Sequence, residues 1–116
     1  TPGSDQVDPK GKEALKALAG ILNSEQGKQF DAVIAGHTDD MLIQKPSTKQ
    51  AHPTNWHLSA HRAISVLNVM VEDGMESTRV SERGFSEFRP VVPNAPGKKG
   101  NSANRRVEIF IVTKGM

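Results

Sequence analysis

The stretch Asn55-Trp56-His57-Leu58-Ser59-Ala60-His61-Arg62 opens the longest helical pattern in this 116-residue chain. At about 100° per residue, Ala63, Val66, Leu67 and Met70 gather on one face, which is expected to lie against the rest of the fold. Asn55, Ser59 and Arg62 fall on or beside that face, one and two turns earlier. A charge turned toward a core is costly unless it is paired or reaches a wet crevice. The best partner in the sequence is the carboxylate pair Asp39-Asp40, at the end of the apolar run Ala32-Val33-Ile34-Ala35. This meeting of strand end and helix start reads as a binding site for a small zwitterionic ligand.

Upstream, Asp8-Pro9 is a helix-start signal, a cap followed by proline at the first helical position. Ala14, Leu15, Leu18, Ile21 and Leu22 carry the helical period, which ends around Asn23-Ser24 and finally at Gly27. Phe30 to Ala35 is a short apolar run, the mark of a strand near the sheet centre or covered on both sides. Gly36-His37-Thr38-Asp39 ends that strand. Asp40 to Thr54, with Pro46 and Pro53, reads as a long loop, and such loops are often functional.

The second helix is predicted from Asn55 to Asp73, with Gly74 as its stop. Val80 to Phe85 reads as a weaker strand, and Phe88 to Asn104, with three prolines and two glycines, as a loop. Arg105 to Val112 is a strand whose Arg105, Val107, Ile109 and Ile111 share one side. Asp39, Arg62 and Arg105 are therefore expected to converge at one edge of the core. Two helices on one face of a small mixed sheet would bury both amphipathic stripes. A sheet of three strands is thin, so a first strand is expected to be missing or displaced before Thr1.

Composition bounds the function. The length fits one domain, residues 1–116, with a modest core. Apolar residues make up 35% and aromatics 4%, and no segment approaches the ~18 apolar residues of a membrane span. Without cysteine there is no disulfide, thiolate metal site or thiol nucleophile. The formal charge of +2 is scattered, with Lys98-Lys99 and Arg105-Arg106 as the densest clusters and Trp56 the single Trp. A nucleic-acid binder usually shows a basic stripe interleaved with aromatics, so an ordinary solvated surface is the better reading.

Four motifs in order, Gly36-His-Thr-Asp39, Asn55-x-x-Leu-Ser-x-x-Arg62-Ala63, Gly84-Phe-x-Glu-x-x-Pro90 and Asn104-Arg-Arg-Val107, resemble the OmpA-like domain. This is the peptidoglycan-binding module of OmpA proteins, Pal lipoproteins and MotB stator proteins. The similarity runs from about Ser4 to Val112. His37-Thr-Asp-Asp40 and Phe88-Arg-Pro-Val-Val-Pro-Asn94 look most like the MotB branch.

The resemblance implies an α+β, two-layer sandwich of order β-α-β-α-β-β, with two helices on one face of a mixed sheet. The family's first strand, which would end just before Gly3-Ser4, is missing or truncated here. It also implies a periplasmic domain of a membrane or outer-membrane protein of Gram-negative type, a non-enzymatic wall anchor without a cofactor, and a homodimer as in MotB-like relatives. Its ligand would be the stem peptide of peptidoglycan, chiefly diaminopimelate. By motif, Asp39 would take the ligand's ammonium and Arg62 a carboxylate. Asn55 and Arg105 would line the same pocket, and Thr38 would add polar contacts.

The residue types suit that ligand. A carboxylate accepts from ammonium, and a guanidinium grips a carboxylate with two parallel hydrogen bonds. The N-terminus of the second helix adds free backbone N–H groups and a partial positive charge. Plainer readings stand beside this one. Asp39 and Arg62 would make a structural ion pair, Arg105 a buttress, and Asn55 a helix cap.

His57 and His61 are four apart, as a zinc pair is, but no Glu of the His-Glu-x-x-His pattern is present and no third ligand is evident. Both are expected on the solvent side, so no metal site is assigned. His37 is expected to support its turn by hydrogen bonding. Ser59, His37 and Asp39 lack a nucleophile elbow, which argues against a triad. The alternative from the enzyme class is a metal-assisted periplasmic hydrolase using His37, His57 or His61 with Asp39.

Overall fold

A computed structural model describes residues 3–115. Helix α1 (Pro9–Leu22) starts as its cap dictates, with Asp8 Oδ1 accepting from the Gly11 N–H at 2.7 Å. Its Leu15, Ala19 and Leu22 are buried. Strand β1 (Phe30–His37) follows, then helix α2 (Pro46–Ala51) and helix α3 (Asn55–Glu72). Gly74 stops α3 at φ +107, a conformation that costs glycine little. A 3₁₀ turn (Ser77–Arg79) leads into β2 (Val80–Gly84), and another (Ser102–Asn104) precedes β3 (Arg106–Thr113).

The sheet has the order β2-β1-β3, with β1 parallel to β2 and antiparallel to β3. The apolar run is thus the central strand, as its composition predicts. Ala32 and Ile34 face the helices and are fully buried, and Ile109 and Val107 lie opposite Ile34 and Gly36 on β3. Together with Leu15, Ala19 and Leu22 of α1, and Ala63, Val66 and Met70 of α3, they form the core. Each of the larger side chains contributes about 1.5–3 kcal/mol by leaving water. This is the α+β two-layer arrangement read from the sequence. Among the described residues the sheet has three strands and none precedes α1.

Two details differ from the sequence reading. Within the segment read as loop, Pro46–Ala51 is helical; it buries no side chain, so no apolar stripe advertises it. Arg105 stands just before β3 rather than opening it, as the residue that closes the 3₁₀ turn.

Glycines let α3 press onto the sheet at one end. A Cβ on Gly36 would collide with the carbonyl oxygen of Ser59, and one on Gly84 would come within 2.8 Å of the Ala60 backbone nitrogen. The first turns of α3 therefore ride directly over the ends of β1 and β2. At the opposite end a buried Arg79 ties the α1–β1 connection together. Its guanidinium donates to the carbonyls of Leu22, Gly27 and Phe30 and to Asn23 Oδ1.

Candidate functional site

Thr38, Asp39, Asn55, Arg62 and Arg105 line one cleft of about 250 Å³, walled also by Met41 to Lys45, Thr48 and Leu58. The five residues come from three separate stretches. Strand β1 delivers Thr38 and Asp39 at its exit, α3 delivers Asn55 and Arg62 along one face, and the approach to β3 delivers Arg105. Asp40 does not line the cleft.

Asp39 is held from three sides. Its Oδ2 accepts from Arg105 Nη1 at 2.7 Å and from the Asn101 N–H at 3.2 Å, and its Oδ1 accepts from the Met41 N–H at 3.2 Å. Gly100 makes this possible, because a Cβ there would fall on the carboxylate. The short ion pair of Asp39 is thus with Arg105, where the sequence reading placed Arg62. Sequence spacing could not decide between two arginines 43 positions apart (62 and 105); the close approach of the Gly100 loop does.

Arg62 is buried beside the pair. Its Nε donates to the Ser4 carbonyl at 2.9 Å and its Nη1 to the His37 carbonyl at 3.0 Å. Burial lowers its pKa, and the neighbouring Arg105 pushes the same way, while Asp39 and Asp5 oppose. Guanidinium nonetheless stays charged at any ordinary pH. Backbone carbonyls stabilise this cation by charge-assisted hydrogen bonds.

Asn55 is the first residue of α3 rather than its cap. Thr54 caps the helix, accepting from the His57 N–H. Asn55 Nδ2 instead donates to the carbonyls of Met41 and Asp39, at 3.2 and 3.4 Å, and so fixes the start of the long connection. Thr38 Oγ1 donates to the Asp39 carbonyl at 2.8 Å. Ser59, buried under the sheet end, donates to the Trp56 carbonyl and accepts from the Ser86 N–H. Its hydroxyl is structural.

The histidines separate. His37 lies on the sheet face away from the helices, stacked on Phe85 with Nε2 2.6 Å from Glu108 Oε1. The hydrogen bonding to the turn expected from the sequence is not what holds it: the ring is seated by its stack on Phe85 and its contact with Glu108. His57 is exposed, but His61 is half-buried and meets His52. Among the described residues, the groups able to hold a metal reduce to Asp5, His52 and His61, and neither Asp39 nor His37 belongs to them.

Asn104 stands in the sequence motif Asn104-Arg-Arg-Val107, but its structural role was not legible there. Fully buried, it accepts from the N–H groups of Val91 and Val92 and donates to Val92 O and Asn94 Oδ1. It pins the loop that carries Gly100 and Asn101 to Asp39.

The sequence model of the OmpA family matches residues 1–105. The chain belongs to the OmpA family. This OmpA-family chain is 37% identical over 84 residues to Motility protein B of Bacillus subtilis, a match covering 72% of the chain and 30% of that protein. It is 39% identical over 105 residues to Outer membrane porin F of Pseudomonas fluorescens, covering 90% of the chain and 29% of the porin. The chain therefore spans less than a third of the length of either relative. The crystal structure of the C-terminal domain of Helicobacter pylori MotB superposes with a TM-score of 0.78 at 26% identity, covering 99% of this chain and 83% of that one. The MotB branch suggested by the motifs is thus found again in sequence and in fold.

Domains of the OmpA and MotB type bind peptidoglycan, belong to membrane-anchored proteins and are not enzymes. The periplasmic domain of Helicobacter pylori MotB also superposes, with a TM-score of 0.78 at 25% identity, covering 99% of this chain and 69% of that one. No helix among the described residues is long and apolar enough to cross a membrane.

Proposed function

We propose that the Asp39–Arg62–Arg105 cleft binds the diaminopimelate residue of the peptidoglycan stem peptide and so anchors a membrane protein, of MotB stator type, to the cell wall. The observation that carries this reading is one acid and two guanidiniums lining a single cleft with the start of α3. Such a set suits a ligand with one ammonium and a carboxylate. Asp39 accepts three hydrogen bonds from the protein, and a carboxylate has about four acceptor positions, so one remains for an ammonium. Arg62 and Arg105 supply the positive side, and the helix start adds to it. Thr38 and Asn55 shape the wall by fixing the backbone of Asp39 and Met41.

The test is cosedimentation with purified sacculi. Asp39→Asn and Arg62→Lys are expected to lose binding while circular dichroism shows a folded domain; full retention by both variants rejects the cleft. Sacculi with diaminopimelate and sacculi with lysine at the same position separate the residue specificity, since equal binding to both rejects diaminopimelate as the determinant. The homodimer implied by the MotB resemblance is measured by light scattering of the same preparations.

A further inference from the structure

Outside the cleft, three potential metal ligands from distant parts of the chain meet at one point. Asp5 lies in the segment before α1, His52 closes α2, and His61 sits in the second turn of α3. One ligand atom from each lies within 4.8 Å of the others, and the two Nδ1 atoms of His52 and His61 are 2.7 Å apart. His52 is 6% exposed, and its ring and that of His61 have centroids 5.0 Å apart.

We propose that Asp5, His52 and His61 form a binding site for a divalent transition metal, Zn²⁺ in the first place. Two imidazole nitrogens and one carboxylate are a recognised donor set for zinc, with water completing a tetrahedron. Bonds of about 2.0–2.1 Å at tetrahedral angles put two ligand nitrogens about 3.3 Å apart. The two rings therefore need to part by about half an ångström to admit the ion. The donors are hard and borderline ligands without a thiolate, which disfavours Cu(I) and iron–sulfur chemistry. Calcium and magnesium prefer all-oxygen sites.

The location gives the ion a structural task. Asp5 follows Ser4, whose carbonyl accepts from Arg62 Nε. A metal holding Asp5 against His52 and His61 would fasten the N-terminal segment, the α2–α3 junction and α3 at one point, next to the arginine. The sequence alone offered only the His57–His61 spacing, and His57 is the member the structure leaves aside; its Nδ1 is 2.8 Å from Thr54 Oγ1.

Zn²⁺ alone, titrated calorimetrically into the metal-stripped protein after removal of any affinity tag, is expected to bind once per chain. Co²⁺ in its place should give the visible absorption of a tetrahedral site. His52→Gln and His61→Gln should each weaken binding at least 100-fold, and Asp5→Asn about 10-fold, while His57→Gln leaves it unchanged. Circular dichroism of each variant confirms folding, and competition by excess Mg²⁺ is expected to fail. Absence of saturable binding, or binding that survives His52→Gln and His61→Gln, overturns the proposal, as does loss on His57→Gln alone.

Discussion

Asp39→Asn is the most informative single change, because it keeps the shape of the side chain and removes its charge. Three donors converge on the carboxylate: Arg105 Nη1 on Oδ2 at 2.7 Å, Asn101 N–H on Oδ2 at 3.2 Å, and Met41 N–H on Oδ1 at 3.2 Å. An amide has one oxygen. If that oxygen takes the Oδ2 position, its NH₂ opposes the Met41 N–H, donor against donor. The Arg105 bond also loses one of its two charges, at about 1 kcal/mol, and the orphaned N–H costs about 1–3 kcal/mol more.

The total is about 2–4 kcal/mol, which lowers Tm by roughly 10–20 °C for a domain of this size. Thermal denaturation followed by circular dichroism measures it. A cycle with Arg105→Gln isolates the pair, and the double variant should fall short of additivity by about 1–3 kcal/mol. A Tm within about 3 °C of wild type for Asp39→Asn, or an additive cycle, refutes the idea that this carboxylate holds the Gly100 loop in place.

Three further perturbations test other parts of the reasoning. Gly36→Ala drives a methyl group into the Ser59 carbonyl, so it is expected to cost at least about 1–3 kcal/mol in urea denaturation, whereas Gly20→Ala, which meets nothing within 4 Å, should be neutral or stabilising. Arg79→Met takes the guanidinium donor away from the carbonyls of Leu22, Gly27 and Phe30 and should cost about 3–5 kcal/mol, with Arg79→Lys in between; equal stability of all three proteins removes Arg79 as the tie of the α1–β1 turn.

Burial, helped by Arg106 and opposed by Glu108, holds the His37 pKa below its ordinary 6.5 in the folded state. The unfolded chain therefore binds the proton first as pH falls, and stability that is present above about 6.5 is lost below it. His37→Phe, which keeps a ring against Phe85, should flatten the urea midpoint between pH 5 and 7 relative to wild type.

Much of the fold was legible because burial leaves periodic traces. The run Phe30 to Ala35 announced a central strand, and the stripe Ala63, Val66, Leu67, Met70 announced α3 and its inner face. Arg105, expected to open β3 on the side of Val107 and Ile109, stands one residue before the strand, yet still lines the cleft with Asp39 and Arg62. What remained hidden carries no period. Helix α2 is six residues with no buried face, so propensity and a leading proline were its only marks. Spacing brings both arginines to the edge of Asp39 but does not say which makes the short ion pair; a glycine's missing Cβ lets the loop seat Arg105 there. Arg79 and the Asp5–His52–His61 meeting rest on contacts across tens of residues, and Asn104 on a loop with no period, neither of which local patterns encode.

The direction of the strands sorts the connections between two rims. Because β1 and β2 run the same way and β3 the other, one rim of the sheet gathers the segments leaving β1 and β2 and the one arriving at β3. The cleft is built on that rim, while the Arg79 knot closes the far one. Insertions into the rim segments can therefore reshape the cleft without disturbing how the strands register.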